Sequence, residues 1–365
     1  MKLRLLSLFL IFIFSSCAVT SRIENDHVSL NYLDEFVIDE NLEFENTKIG
    51  GLSGIDYASG KFYLVSDQSS NPRIYQAVIK IADSRIQNIE INDLIEITRP
   101  EEYSKVVLDL EGVRYDSNNN GFLVVSEGLI SDRRDPGIYE TNTQGEILSS
   151  YSIPEYFQSK NEQKPRNNGV FEGITKSVDG TGVWVATELP LEKDSSKPKI
   201  FPSRSHSRIT RFDTETKNPV SQFVYPLEGI AKLPINYFAL NGITEILEYA
   251  QDRFLVMERS YSAGYGSHGN TVKIFDVDAS KATNTLNENL LRKAKYQTAK
   301  KRLIFDFKSV DDQLTDGIVD NIEGMCFGPE LENGNRSLIL VADNNFNSFV
   351  RQLNQFILME INISE

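Results

Sequence analysis

Short runs of apolar, mostly β-branched residues recur along the chain, each bounded by Gly, Asn, Asp or Ser. Such runs predict β-strands joined by tight turns. Each run follows a polar turn, and before that turn stands a glycine flanked by an apolar residue and often preceded by an acidic one. We call these the repeat glycines: Gly54, Gly112, Gly173, Gly242 and Gly324. The five copies of this hairpin pattern span residues 50–67, 109–128, 171–188, 240–260 and 321–345.

Further strand-like segments follow each hairpin, at residues 73–81, 137–153, 208–225, 271–277 and 351–361. Four antiparallel strands per repeat are typical of β-propeller blades. The pattern therefore predicts an all-β propeller of five to six four-stranded antiparallel blades. Five blades can be identified in the sequence, and a divergent sixth blade would have to lie among the insertions.

Three segments stand outside the repeats. Residues 28–38 (VSLNYLDEFVI) predict a strand without a hairpin of its own, and we expect it to close the ring as the outer strand of the last blade, so that the N- and C-terminal strands meet. Residues 279–302 carry leucines at helical intervals and predict an inserted surface helix. Residues 190–208 are rich in Pro, Ser, Lys and Arg and predict a loop over one face.

The first seventeen residues indicate export. Lys2 and Arg4 precede the apolar run LLSLFLIFIF, which is too short to span a bilayer and ends in Ser15-Ser16-Cys17. This resembles a lipoprotein signal peptide (1–17) with Cys17 as the lipidated residue, although a plain secretory peptide would share these features. We expect a tether over 18–27, one domain over 28–365, and a membrane-anchored location in the cell envelope, on the periplasmic side or at the outer membrane.

The composition of the chain limits the classes of molecule that we expect it to bind. The formal net charge of −14 argues against nucleic acid as a partner and favours cations, although an acidic surface also promotes solubility. Apart from Cys17, the chain has only Cys326, so no disulfide within the mature chain is expected. We expect a monomer that acts on a small molecule, with phosphorylated compounds among the candidates.

Acidic residues recur at two positions of the repeats. Glu111, Glu172 and Glu323 precede repeat glycines, whereas Ser53 and Asn241 take that position in the other two copies. The second set ends the paired strand and is acidic in all five copies: Asp67, Glu127, Glu188, Glu258 and Asp343. Equivalent positions of propeller blades surround the central channel, so both sets predict rings of carboxylates around it.

Carboxylates held close together require cations, and oxygen ligands favour Ca²⁺ or Mg²⁺. Glu111, Glu172 and Glu323 are the candidate catalytic residues, and we expect them to contact the cation as well. The second acidic set supplies the candidate metal ligands, with calcium as the expected cofactor. Arg73, Arg114 and Arg259 are candidates for binding phosphate or carboxylate groups of the substrate.

The same residues also have structural interpretations. Acids at strand ends cap turns, and Glu and Arg at equivalent positions of successive blades can pair and link the blades. Arg114 and Arg259 can also be ion-pair partners of Glu111 and Glu258. Other catalytic schemes have little support, because the sequence contains no Gly-x-Ser-x-Gly elbow, P-loop or dinucleotide fingerprint, and too few Cys and His residues for a metal site.

The motifs LEGVRYD, NNGVFEGIT, TELPL, NGITEI and NIEGMCFGP occur in this order and resemble the phytase-like family described as having esterase-like activity. The resemblance extends from about Gly50 to the end of the chain. It implies a propeller and hydrolysis of phosphoester or ester bonds, similar to calcium-dependent propeller phytases, although their Asp-Asp-Pro-Ala signature is missing. The alternative is a non-catalytic propeller that binds a ligand, glycan or protein partner.

Overall fold

The computed structural model describes residues 28–201, 203–347 and 349–364. Within them the chain forms five four-stranded antiparallel sheets and one two-stranded ribbon. The signal peptide, the lipidated Cys17 and the tether fall on residues 1–27, which lie outside the described residues, so these features stay predictions. Among the described residues, no helix has the length and apolar character needed to cross a membrane.

The first half of the chain supplies two blades. It begins with β1 (Val28–Ile38) and a ribbon of β2 (Glu43–Phe44) and β3 (Thr47–Lys48). Blade 1 consists of β4 (Leu52–Ala58), β5 (Lys61–Ser66), β6 (Arg73–Ala82) and β7 (Arg85–Glu96). Blade 2 consists of β8 (Leu110–Asp116), β9 (Gly121–Ser126), β10 (Gly137–Asn142) and β11 (Ile147–Ser150).

The second half supplies the remaining three blades. Blade 3 consists of β12 (Phe171–Lys176), β13 (Gly182–Thr187), β14 (His206–Asp213) and β15 (Pro219–Pro226). Blade 4 consists of β16 (Ala239–Ala250), β17 (Arg253–Ser262), β18 (Asn270–Asp278) and β19 (Lys300–Asp306). Blade 5 consists of β20 (Asn321–Glu330), β21 (Arg336–Asp343), β22 (Asn354–Ile363) and β1. The helical segments in the described part are short 3-10 turns: Glu101–Tyr103, Ile130–Asp132, Glu155–Phe157, Gly266–His268, Leu291–Lys293, Phe307–Gln313 and Thr315–Gly317.

The innermost strands β4, β8, β12, β16 and β20 contact one another in this order, and β20 contacts β4 again. They form a closed ring around a central channel. Strand β1 pairs with β22 along its length, from Val28 opposite Ile363 to Ile38 opposite Asn354, so both ends of the chain share blade 5. The prediction of an all-β propeller closed by its terminal strands is confirmed, and the described residues form five blades.

Local sequence explains the hairpins. Ala58 pairs with Lys61 across the turn of β4 and β5, which leaves Ser59 and Gly60 as a two-residue loop. Both have positive φ, 52° for Ser59 and 81° for Gly60. This is the geometry of a type I′ turn, which matches the right-handed twist of the strands that it joins.

The hydrophobic core lies between the blades. Each of the five buried clusters draws its side chains from two neighbouring blades, and the cluster between blades 4 and 5 is built in the same way as the others. The second strands are buried along nearly their whole length, for example β9 and β13. Burial on both faces explains why these strands appear in the sequence as continuous apolar runs rather than as alternating ones.

The predicted helix in residues 279–302 is wrong. Only Leu291–Lys293 forms a 3-10 turn, and the rest consists of turns and irregular chain that leads into β19. The amides of Thr285 and Ala299 donate to the carbonyls of Gln222 and Val224 on the outer strand of blade 3. The backbone of this segment therefore finds hydrogen-bond partners on a strand edge, which outweighs the helical spacing of its leucines.

Candidate functional site

A β-bulge interrupts the innermost strands beside the repeat glycines. In β4, Leu52 pairs with Ser66 and Gly54 with Val65, so Ser53 has no partner. The equivalent positions hold Glu111 in β8, Glu172 in β12 and Glu323 in β20. A bulge changes the direction of a side chain relative to the sheet. Here it gives three blades a glutamate at the same level of the channel.

The repeat glycines bring these bulges together. A Cβ atom added to Gly54 would lie 2.9 Å from the Cα of Gly112, and one added to Gly324 would lie 2.9 Å from the Cα of Gly54. Backbone atoms cannot move aside as a side chain can. The absence of side chains at these positions therefore allows the innermost strands to approach closely, with the glutamates next to them.

Blade 4 departs from the repeat pattern. Its register shift falls between Ile243 and Glu245, which makes Thr244 the bulged residue instead of Asn241. The Thr244 hydroxyl donates to the carbonyl of Ile322 in the next blade at 3.4 Å, just as the Ser53 hydroxyl donates to the carbonyl of Leu110 at 2.7 Å. An alignment based on the sequence repeat therefore places the bulge of blade 4 three residues too early, at Asn241 instead of Thr244.

The same shift corrects the second acidic set. In each blade the last residue before the bulge pairs with a residue of the second strand, and the ring position is the residue that follows this partner. This position holds Asp67, Glu127, Glu188 and Asp343 in four blades and Arg259 in blade 4. The prediction that Glu258 belongs to the ring is wrong. Its carboxylate accepts hydrogen bonds from Tyr225, Lys301 and Asn241, each at 2.6 Å, on the side of the strand facing blade 3.

Eight carboxylates meet in the channel, and we call them the channel cluster: Asp67, Asp109, Glu111, Glu127, Glu172, Glu188, Glu323 and Asp343. Asp109 is the member that the sequence analysis missed. It stands two residues before Glu111, and Asn321 takes the same position before Glu323 in blade 5. Comparing the residues upstream of each repeat glycine could have identified it.

Burial and mutual repulsion perturb the channel cluster. Burial, followed by repulsion from neighbouring carboxylates, raises the pKa values of Glu111, Glu172 and Glu323 well above their usual range. Burial and the nearby Asp343 and Asp109 raise the pKa of Asp67 to about 8. Burial likewise raises the pKa of Glu188 to about 8, although Arg259 opposes the shift. Without a bound cation, the cluster therefore retains protons near neutral pH.

Arg259 is the cation inside this ring. Its Nη2 atom lies 3.6 Å from Glu188 Oε1 and 3.4 Å from Glu323 Oε1, and its Nη1 atom donates to Asn321. The predicted pairing of Arg259 with Glu258 is wrong, because neighbouring residues of a strand point to opposite faces. Of the three predicted arginines, Arg259 is the one that lines the cavity above the cluster.

Arg73 is buried at the edge of the cluster, where its charge partly offsets the rise that burial causes in the pKa of Asp67. Its guanidinium is held by protein acceptors: Nε donates to the Tyr75 hydroxyl at 2.6 Å, Nη1 to Gln68 at 2.7 Å and Nη2 to the carbonyl of Lys48 at 3.1 Å. These contacts favour a structural role over the predicted contact with substrate.

Arg114 is also buried, and its Nη2 atom lies 2.8 Å from Glu245 Oε2. It also donates to the carbonyls of Ile55 and Met325, so it links the innermost strands of blades 1, 2, 4 and 5. The predicted pairing with Glu111 is wrong, because Arg114 pairs with Glu245, whereas Glu111 faces other carboxylates of the channel cluster. Arg114 fastens the ring and is not placed to bind substrate.

We expect Arg114→Met to lower the free energy of unfolding by about 3–5 kcal/mol, since it leaves Glu245 buried without its partner. Urea unfolding followed by circular dichroism measures the loss. The matched control is the double variant Arg114→Met/Glu245→Met, which removes both charges and should regain most of the lost stability. A loss below about 1 kcal/mol in the single variant would contradict the proposed role of the pair.

The channel cluster has the donor set of a cation site. Two groups of acids each place carboxylate oxygens within 4.8 Å of one another: Asp109, Glu111 and Glu127, and Glu127, Glu172 and Glu188. Glu127 is common to both. Glu188 is 1% exposed, and its Oε2 atom is buried without a hydrogen-bond partner. A buried carboxylate oxygen without a partner is costly, and oxygen donors of this kind suit Ca²⁺ or Mg²⁺.

A cavity of about 620 Å³ opens above the cluster and is lined by Arg259, Glu323 and Asn321 among others. Asn236 and Val350 also line it, and the chain next to them exposes large apolar side chains. Tyr237 is 99% exposed and Phe349 is 97% exposed. The opening therefore combines an acidic floor containing one guanidinium with an apolar rim.

A family model described as "Phytase-like: Esterase-like activity of phytase" matches residues 47–346. The match contains all five innermost strands and every member of the channel cluster. No curated protein sequence matches the chain.

Several solved structures are similar over most of their length. Glutaminyl cyclase from Myxococcus xanthus is 8% identical, with 92% of this chain and 97% of that chain covered and a TM-score of 0.40. The PQQ-bound aldose sugar dehydrogenase from Streptomyces coelicolor is 10% identical, with 92% and 98% covered and a TM-score of 0.40. A putative oxidoreductase (glucose dehydrogenase) from Thermus thermophilus is 7% identical, with 86% and 84% covered and a TM-score of 0.41. At such identities these names carry no information on the activity of this chain.

Proposed function

The chain belongs to the phytase-like family, and from this premise we propose that it is a cation-dependent hydrolase of phosphoester or ester bonds in a small molecule. The reaction would take place at the channel cluster, with calcium as the cation. The observation that carries the proposal is the convergence of two acid groups on Glu127, one with Glu111 and one with Glu172 and Glu188. Arg259 contacts Glu188 and, together with Glu323, lines the cavity next to these groups.

The partners of each acid separate this proposal from a purely structural role. Glu258 and Glu245 are each neutralised by a basic side chain and by further hydrogen bonds, so neither needs a cation. Glu111 and Glu172, in contrast, face other carboxylates, and a lone Arg259 cannot neutralise all of them. Repulsion among them would be relieved by a divalent cation.

The two acid groups suggest how the cation would be held. Glu172 and Glu188 would supply ligands on one side and Asp109 and Glu111 on the other, with Glu127 between them. A calcium ion bound there would polarise a phosphoryl or carbonyl oxygen and lower the pKa of bound water. The chain's own groups would orient the substrate and move the proton.

Glu323 and Arg259 are the residues that would act on substrate in the cavity. Arg259 presents a guanidinium at the cavity wall, where it can bind an anionic group of the substrate. Glu323 lies beside it, and burial followed by repulsion from Asp343 raises its pKa well above the usual range, which suits this carboxyl group to proton transfer during the reaction. The apolar rim would contact the less polar part of the substrate.

The test is hydrolysis of an aryl phosphate and an aryl acetate by the purified protein, with calcium, with magnesium and after chelation. We expect turnover that is lost on chelation and restored by calcium, and the faster substrate identifies the bond that is cut. Turnover that is insensitive to chelation would contradict the role of a cation. No turnover of either substrate by a well-folded sample would favour a non-catalytic propeller that binds a ligand or partner at its loops.

A further inference from the structure

A second cavity, of about 910 Å³, lies outside the channel against blade 3. One wall comes from residues 192–196 together with Arg204 and His206, and the other from residues 291–298, in the segment that runs along the edge of β15. None of its lining residues belongs to the cavity above the channel cluster. It is therefore a separate feature of the molecule, built largely by the insertions before β14 and before β19.

The charge of this cavity is opposite to that of the protein. The chain has a formal net charge of −14, yet the cavity gathers four cationic side chains: Arg166, Arg204, Arg292 and Lys295. Two acids also line it, but one of them, Asp194, is buried in an ion pair with Arg208 at 2.7 Å. Asp194 also accepts a hydrogen bond from the amide of Leu291 at 2.8 Å, so it ties the two walls together. Glu192 is left as the acid that opposes the four cations.

Two of the cationic groups are held in position. Arg166 donates from Nε to the carbonyl of Pro190 and from Nη2 to that of Ser195, each at 3.0 Å. Arg292 donates from Nε and Nη2 to the carbonyl of Lys193, at 3.1 and 2.9 Å. Neutral carbonyls fix these guanidinium groups without neutralising them. Their Nη1 atoms have no acceptor among the described residues.

The other two cations are exposed and without partners. Within the described part of the chain, Arg204 and Lys295 have neither a hydrogen bond nor an ion pair. Between the two walls, His206 Nδ1 and the Tyr296 hydroxyl lie 2.7 Å apart, so these side chains are also oriented. Arg204 lies close enough to act on both side chains: burial and then Arg204 lower the pKa of His206, and Arg204 partly offsets the rise that burial causes in the pKa of Tyr296. The cavity thus combines fixed and mobile cations with two polar side chains.

We propose that this cavity binds a small molecule carrying a diphosphate or two phosphate groups. Four cations opposed by one acid require several negative charges in a small volume, which a single carboxylate does not supply. Guanidinium groups fixed by carbonyls bind phosphate oxygens through paired N–H donors, and a mobile lysine adapts to the remaining charge. The site is independent of the channel cluster and needs no cation.

Calorimetric titration of the full-length chain with pyrophosphate, in the presence of EDTA, tests the site while the channel is free of divalent cations. We expect binding that weakens about tenfold or more in Arg204→Gln/Lys295→Gln, since two of the four cations are lost. The matched control is Lys80→Gln/Arg85→Gln, which removes the same two charges from an exposed hairpin of blade 1 and should bind as the unmodified chain does. Equal affinity in both double variants, or no binding up to about 10 mM, would overturn the proposal.

The chain has three histidines, His27, His206 and His268, and NMR of labelled imidazoles shows where pyrophosphate binds. The imidazole signal that is missing from the spectrum of His206→Asn belongs to His206. We expect this signal to shift when pyrophosphate is added. Movement of the His268 signal instead would place the ligand by the loop next to the channel and contradict the assignment. Citrate supplies the comparison of ligand class: tighter binding of pyrophosphate supports the phosphate assignment, and citrate binding at least as tightly overturns it.

Discussion

Replacing Glu172 by glutamine is expected to lower hydrolysis of the aryl substrate by about 100-fold or more. Glutamine preserves the size of the side chain but removes its negative charge, and Glu172 lies with Glu127 and Glu188 in one of the two acid groups. The affinity for calcium should fall with the activity. Steady-state kinetics at several calcium concentrations, together with a calcium titration, measure both effects.

Glu258→Gln is the matched control for this experiment. The repeat pattern places Glu258 in the same set as Glu188, whereas the structure places it against Lys301 and Tyr225. We expect its calcium dependence to be that of the unmodified protein, provided that circular dichroism shows a folded sample. If Glu172→Gln retained full activity and calcium affinity, the channel cluster would not be the metal site.

In EDTA, the free energy of unfolding should fall as the pH rises from about 4 to about 8. Asp67 and Glu188 have pKa values of about 8 in the folded protein, above their ordinary values of 3.8 and 4.5. The folded chain therefore holds protons that the unfolded chain releases in this interval, and their stabilising contribution is complete below pH 4 and lost above pH 8. Each pKa unit corresponds to about 1.4 kcal/mol, so even a partial shift shared by the cluster amounts to several kcal/mol.

Calcium should reverse this trend, because it binds the ionised cluster of the folded chain and stabilises it by about 2.7 kcal/mol at a hundredfold excess over the dissociation constant. Urea unfolding between pH 4.5 and 8.5, with EDTA and with calcium, measures both slopes. Asp67→Asn should flatten the slope in EDTA. Asp213→Asn is the control, since hydrogen bonds from Thr216 lower the pKa of Asp213 and keep its titration below this interval. A flat profile in EDTA for the unmodified protein would refute the buried, uncompensated cluster.

The sequence alone identified the features that depend on local order. Apolar runs and turn residues predicted the strands and hairpins, because strand formation and tight turns depend on neighbouring residues. Repetition of the pattern predicted a ring of blades closed by residues 28–38, since repeats of one unit pack in one way. Three of the bulged residues, Glu111, Glu172 and Glu323, were also identified, because in those blades the acid directly precedes the repeat glycine.

The tertiary structure decided which side chains meet. In blade 4 the bulge lies three residues later than the repeat suggests, which moves Glu258 out of the ring and puts Arg259 into it. The position of a bulge depends on how neighbouring innermost strands pack, and a single repeat does not reveal it. The pairing of Arg114 with Glu245, two blades away, likewise depends on how the innermost strands pack around the channel.

Residues 279–302 are a further case, at the surface, in which local sequence does not predict the structure. Their leucines follow a helical spacing, but the amides of this segment bind the free edge of β15, and that edge is invisible in the sequence of the segment itself. The cationic cavity that the segment forms with residues 192–196, Arg204 and His206 arises from this docking. Local sequence thus determined the elements and their repetition, whereas the register of blade 4, the charge pairs and both cavities were decided by contacts between residues distant along the chain.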